Sequence, residues 1–133
     1  MDQRPIVFIR FNGDGKEVFN DIYMIDPDGS NEVPLTVNPG PDGTYTDNTS
    51  PRYNCDRSMI AFVSTKNNSR KLYNIFLMDL ATRKTAQITT GNLNISSVDW
   101  SPEGIVFSSN CDWESAESLA NLYRMSASGE LQQ

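Results

Sequence analysis

One stretch of this chain occurs three times, and such repetition restricts the fold more than composition does. The first copy, Asp21 to Thr36, reads DIYMIDPDGSNEVPLT; the second, Asn74 to Thr89, reads NIFLMDLATRKTAQIT; the third, Asn121 to Gln133, reads NLYRMSASGELQQ. The first two align without a gap: Ile22 with Ile75, Tyr23 with Phe76, Asp26 with Asp79, Leu35 with Ile88, Thr36 with Thr89. The third keeps Leu122, Tyr123, Met125, Gly129 and Leu131. Each copy opens with aliphatic and aromatic residues, which pack well on a pleated surface and favour a strand. A turn follows. Pro27-Asp28-Gly29-Ser30 supplies a fixed φ, a side chain that bonds its own backbone and a residue free to take positive φ. Ser128-Gly129 and Ala81-Thr82-Arg83-Lys84 carry weaker forms of that signal. A second short strand closes each copy, so each reads as a β-hairpin.

Another matched strand precedes each hairpin: Ile6-Val7-Phe8-Ile9, Ile60-Ala61-Phe62-Val63 and Ile105-Val106-Phe107-Ser108. The step from its Phe to the first aliphatic residue of the hairpin is 14, 13 and 15 residues. Before the second and third of these strands lies one more matched piece. Ser50-Pro51-Arg52-Tyr53-Asn54-Cys55-Asp56 aligns with Val98-Asp99-Trp100-Ser101-Pro102-Glu103-Gly104, placing Tyr53 on Trp100, Asn54 on Ser101 and Asp56 on Glu103. The unit therefore has four strands and recurs after 54 residues (Phe8 to Phe62) and again after 45 (Phe62 to Phe107). Four-stranded units at that spacing are the mark of β-propeller blades.

The run Trp100-Ser101-Pro102-Glu103-Gly104-Ile105-Val106-Phe107-Ser108, followed by Leu122-Tyr123-Arg124-Met125, resembles the TolB-like, WD-repeat-like β-propeller repeat, and Ile22 to Ser30 with Leu35-Thr36 resembles its second half. The resemblance covers almost the whole chain. It implies an all-β fold of three four-stranded antiparallel blades, at residues 1–36, 49–90 and 97–133, with the first blade lacking its opening strand. Cys55 stands where the repeat usually has Pro, and Arg57 follows Asp56 where Gly is usual, so a looser turn is expected in blade two. Propellers of this kind usually have six or more blades, so the chain is expected to be part of a larger ring or to assemble into one. Three outcomes are open: further blades of a longer chain, a homodimer closing a six-bladed ring, or polar capping of the end blades. The sequence shows no obvious cap at either end.

The formal net charge is −6, and no basic cluster is denser than Arg70-Lys71 with Lys66 nearby. Nucleic-acid binding needs a basic patch that displaces counterions, so that function is not expected, and an anionic membrane surface is disfavoured for the same reason. No apolar run reaches membrane-span length, and Met1 to Pro5 lacks the layout of a secretory signal. Cys55 and Cys111 fall at different places in their repeats and are expected as two unpaired thiols. There is no His, which removes His-based triads and the commonest transition-metal ligand. No P-loop, dinucleotide fingerprint or Gly-x-Ser-x-Gly elbow appears. Asp26 to Glu32 looks superficially like a calcium loop, but its spacing fails the alternate-ligand pattern and it reads as the hairpin turn. Asp14, Asp42 and Asp47 make a carboxylate cluster only if their loops converge. No cofactor and no metal are expected.

Residues 10–20 read as a loop, with Val18 and Phe19 packing back on the blade. Residues 37–50 form the longest irregular stretch and are either a binding loop or a long connection. Trp113, in the acidic link 109–120, is either an exposed contact residue or folded onto the blade edge. By position, the resemblance places Arg52 and Asp99 toward the propeller channel and Tyr53 and Trp100 between blades. The binding candidates are thus Arg52, Asp99 and Trp113. The function expected is a non-catalytic scaffold for a protein or ligand. The alternative is the propeller portion of a prolyl-oligopeptidase-type serine peptidase whose catalytic domain lies outside this chain. The resemblance also implies a bacterial, extracytoplasmic (periplasmic) protein.

Overall fold

The structure, a computed structural model, describes residues 4–13, 18–90, 94–109, 121–125 and 131–132. They form three antiparallel sheets. The first contains β1 (Ile6–Gly13), β2 (Val18–Ile25) and β3 (Val33–Pro34) in that order. The second contains β4 (Asn48–Tyr53), β5 (Met59–Ser64), β6 (Asn74–Asp79) and β7 (Thr85–Gln87). The third contains β8 (Ile95–Ser101), β9 (Gly104–Ser109), β10 (Asn121–Met125) and β11 (Leu131–Gln132). Each sheet is a meander in chain order, three strands in the first and four in each of the others.

The sheets stack face to face because the middle one is apolar on both sides. Along β5 and β6, Ile60, Phe62, Phe76 and Met78 point to sheet one, where they enclose Ile22 and Leu35 with Val7, Met24, Tyr53 and Leu80 around them. Ala61, Val63, Ile75 and Leu77 point the other way and pack on Ile95, Val98, Ile105, Phe107, Tyr123 and Met125. Alternate side chains of a strand face opposite sides of the sheet, so a near-continuous apolar run is what a doubly covered sheet requires. A cross-strand aromatic pair recurs in every sheet: Phe8 on Tyr23, Phe62 on Phe76 and Phe107 on Tyr123, with centroids 5.8, 5.7 and 5.4 Å apart.

Two polar devices also recur. In sheet one, Thr36 Oγ1 accepts the Ile22 N–H at 2.9 Å and donates to Asp21 Oδ1 at 2.8 Å. In sheet two, Thr89 Oγ1 accepts the Ile75 N–H at 2.9 Å and donates to Asn74 Oδ1 at 3.0 Å. This clasp is the physical reason for the matched Asp21/Asn74 and Thr36/Thr89. The second device is the triplet Asp–positive φ–Ser/Thr. It occurs at Asp28-Gly29-Ser30, Asp42-Gly43-Thr44 and Asp56-Arg57-Ser58, with φ of 87°, 81° and 59° at the middle residue. In each, the carboxylate accepts both the N–H and the hydroxyl of the third residue.

Two local expectations change. Residues 10–20 are not simply a loop: β1 reaches Gly13 and β2 begins at Val18, with Arg10, Phe11 and Asn12 paired to Asp21, Asn20 and Phe19. Phe19 stacks on Tyr45 at 5.0 Å. The blade-two turn is longer rather than looser. Six residues separate the paired Tyr53 and Ile60, four separate Trp100 and Ile105, and Asp56 therefore does not fall on Glu103. The longer turn is closed by the Asn54 N–H on Met59 O at 3.0 Å and by the Asp56–Ser58 triplet. As expected, Leu131 opens the last strand, where it pairs with Met125.

Replacing Thr36 or Thr89 by Val should destabilise the fold by about 1–3 kcal/mol in urea unfolding, because each change strands a backbone N–H and a buried carboxylate or amide. Asp21→Asn should cost much less, since Asn74 already fills the same place. The carboxyls of Asp28, Asp42 and Asp56 are held below their ordinary 3.8, first by the Ser30, Thr44 and Ser58 hydroxyls and then by the backbone N–H of the same residues. A pKa lowered in the fold gives stability that is complete above the unfolded value and is lost as pH falls through the native one. Circular dichroism below about pH 4 should therefore show a shallower acid loss for the triple Asp→Asn variant than for the parent chain.

Candidate functional site

The inner strands β4 and β8 carry the site. Each has a one-residue register shift, between Thr49 and Arg52 in β4 and between Ile95 and Ser97 in β8; Ser50 at the first has φ 57°. Bulges of this kind re-aim the side chains that follow. Beyond them the two strands come into step. Arg52 lies opposite Ala61 and Asp99 opposite Val106, while Tyr53 lies opposite Ile60 and Trp100 opposite Ile105. Arg52 and Asp99 are thus the same position in consecutive blades, both exposed, and Tyr53 and Trp100 are the next position, both half-buried against the inter-blade cores.

The β4–β5 and β8–β9 turns leave a groove of about 750 Å³ between them, lined chiefly by Tyr53, Cys55, Asp56, Asp99, Trp100 and Glu103. One bond crosses from blade to blade beside it: Trp100 Nε1–H donates to the carbonyl oxygen of Arg52 at 2.9 Å. Asp99 Oδ1 accepts the N–H of Trp100 at 2.8 Å, and Arg52 Nη1 donates to Pro51 O at 3.0 Å. Arg124 and Glu103 form an ion pair at the rim. The Arg57 guanidinium lies 4.9 Å from the centre of the Tyr53 ring and donates to Pro5 O. The Tyr53 hydroxyl is buried without a hydrogen-bond partner among the described residues, and burial raises its pKa. Cys55 is a free, exposed thiol on the groove wall. The result is an aromatic recess with mixed charge at its edge. Such a surface suits recognition.

At the other end of β4 the polar residues serve a different purpose. Buried Asp21 accepts from Asn12 Nδ2, Thr36 Oγ1 and Asn38 Nδ2. Asn38 also ties down Thr46, and Asp47 accepts from the N–H and Nδ2 of Asn20 and from the Tyr73 hydroxyl. Burial first, then the hydrogen bond to Asp47 and its charge, push the Tyr73 pKa well up. Residues 37–47 are therefore stitched to blades one and two along their length. Asp42 is engaged by Thr44, and Asp47 by Asn20 and Tyr73, rather than with each other, and Asp14 lies outside the described residues. No metal-binding cluster of acidic or cysteine side chains occurs among the described residues. Asp26 to Glu32 forms the hairpin turn, with Gly29 N–H on Asp26 O at 2.9 Å. Trp113 and Cys111 lie outside the described residues. The Asp47–Asn20–Tyr73 link was not legible in the sequence; its one trace was the density of Asn, Asp and Thr between blades.

No protein-family model and no curated protein matches the sequence. Solved structures do. The stacked meanders with inner-strand bulges are blades of a β-propeller. TolB from Acinetobacter baumannii aligns with a TM-score of 0.71 at 19% identity, over 97% of this chain and 30% of that one. The β-propeller domain of the Trilobed protease from Pyrococcus furiosus aligns at 0.68 and 17%, over 100% and 39%. An acylaminoacyl peptidase from Pyrococcus horikoshii aligns at 0.65 and 15%, over 100% and 23%. The fold is that of a TolB-like β-propeller, and the chain spans less than half the length of each of these proteins.

Tyr53→Phe should leave stability unchanged or raise it by up to about 1 kcal/mol, since it removes a buried hydroxyl that has no partner among the described residues. Trp100→Phe should lower stability by about 1 kcal/mol, because the Arg52 carbonyl loses its donor. Urea midpoints at constant slope check both.

Proposed function

We propose that this chain is a non-catalytic scaffold segment of a TolB-like propeller and that it binds a protein or ligand through the groove between the β4–β5 and β8–β9 turns. Arg52 and Asp99 are its polar contacts; Trp113, in the link 109–120, is a separate candidate contact residue. The observation that supports this is the match of two consecutive blades at the groove: Arg52 and Asp99 occupy one repeat position and stay exposed, Asp99 lines the aromatic recess, and the Arg52 carbonyl accepts from its Trp100. Repeat proteins use such serial positions to build extended binding surfaces. An extracytoplasmic, periplasmic location accompanies this reading through the resemblance to TolB-like proteins. At the ends of the array the expected partners are a second copy that closes a six-bladed ring or the further blades of a longer chain.

The peptidase propellers among the structural neighbours favour one second reading, a propeller portion that gates substrate for a separate serine-peptidase domain. The sequence of the intact polypeptide separates the two. A hydrolase domain with a Gly-x-Ser-x-Gly elbow supports the peptidase reading, and further blades without one support the scaffold.

Cys55 offers a direct probe of the groove. In a Cys111→Ser background, a photo-crosslinker on Cys55 should capture a defined partner from the native host. Arg52→Ala with Asp99→Ala should reduce that adduct at least about tenfold while leaving the melting temperature unchanged. Adducts indifferent to both substitutions would remove the groove from consideration.

A further inference from the structure

The outward face of blade one repeats, position for position, a stripe that the other two blades bury. Ile6, Phe8, Tyr23 and Ile25 correspond in register to Ile60, Phe62, Phe76 and Met78 and to Ile105, Phe107, Tyr123 and Met125. Those eight are at most 8% exposed, whereas Ile6 is 51% exposed and Phe8, Tyr23 and Ile25 are only half-buried. An apolar stripe of this kind in water calls for a cover.

The cover differs from an ordinary blade in one respect. Two residues along from each aromatic, blades two and three place the fully buried Ser64 and Ser109, and blade one places Arg10. The Arg10 guanidinium lies across the stripe, 4.5 Å from the Tyr23 ring centre and 5.7 Å from that of Phe8, and pairs with Glu32. A plain aliphatic blade face packed here would bury both charges without new partners, which is costly. The occupant must therefore bring an apolar stripe flanked by one cation and one anion. Blade three's outward face does not: Ser108 stands where Ile9 and Val63 stand in the other blades, and Arg124 where Met24 and Leu77 stand. The surface that meets the requirement is this face itself.

We infer that two copies of this chain associate face to face through Ile6, Phe8, Tyr23 and Ile25 about a two-fold axis, with Arg10 of each copy exchanging its own Glu32 for that of the other. A two-fold interface is self-complementary, so one Arg and one Glu on the patch suffice for two intermolecular pairs. This arrangement differs from the head-to-tail closure of a six-bladed ring, and it does not depend on the groove.

Light scattering coupled to size exclusion tests it. The parent chain should run as a dimer, and Phe8→Lys should weaken the dimer at least about tenfold. Arg10→Glu and Glu32→Arg, both at exposed positions, should each give monomers alone. Mixed together they should restore a dimer, because each then meets its opposite charge across the axis. A parent chain that is monomeric throughout a wide dilution series overturns the inference. So does a dimer broken by Arg124→Glu as well as by Phe8→Lys and not restored by mixing Arg10→Glu with Glu32→Arg, which would mark head-to-tail closure instead. A melting curve for each variant separates lost association from lost folding.

Discussion

Everything in this molecule depends on the need of a flat apolar sheet to be covered on both faces. The middle blade meets it on both sides, with Ile60, Phe62, Phe76 and Met78 toward one neighbour and Ala61, Val63, Ile75 and Leu77 toward the other. No helix intervenes in the described residues, so sheet-on-sheet burial carries the hydrophobic term. The blades are consequently not independent domains. Each core is shared, and the contribution of any one blade exists only in the company of its neighbour.

Polar groups then fix what the apolar faces leave undetermined. Register along a strand is set by which residues must face inward, but the end of each hairpin is set by the Thr36 and Thr89 clasps, which satisfy an N–H and a side chain at once. The Asp-x-Ser/Thr triplets close turns in blade one, in the linker and in blade two by the same chemistry. Arg57 shows that this closure can hold a non-glycine residue at positive φ, since the Asp56 carboxylate accepts both the N–H and the hydroxyl of Ser58 across the bend. The inner-strand bulges are a third device: they bring Arg52 and Asp99 to one level beside the inter-blade bond from Trp100.

The blade architecture was legible because it is periodic: three copies of an aliphatic-aromatic strand, a turn and a closing Leu35 or Ile88 leave little else to build. The placement of Tyr53 and Trp100 between blades followed from the repeat position and from aromatic burial; Arg52 and Asp99, expected toward a channel, are exposed. What the sequence concealed was whatever breaks the period. Alignment through Asp56 and Glu103 slipped because two extra residues in one turn look the same as a substitution until strand pairs are known. The extension of β1 to Gly13 was hidden by Asn12-Gly13, a strong turn signal that here ends a strand rather than replacing it. Arg10 gave no sign of its role, since a charge two residues past an aromatic reads as an ordinary solvent-facing residue until the rings beneath it are located.

The connection between blades one and two has a mechanical consequence. Asp47 sits at the head of β4 and holds the backbone and side chain of Asn20 on one side and the hydroxyl of Tyr73 on the other, while Asn38 anchors the far end of the same segment to Asp21 and Thr46. A pull between the two blades would load these side-chain bonds together, before the ladder between β4 and β5 bears tension. The linker thus acts as a strain-bearing tether of fixed length rather than slack chain, and blade one would separate from blade two abruptly, in one rupture, instead of peeling away strand by strand.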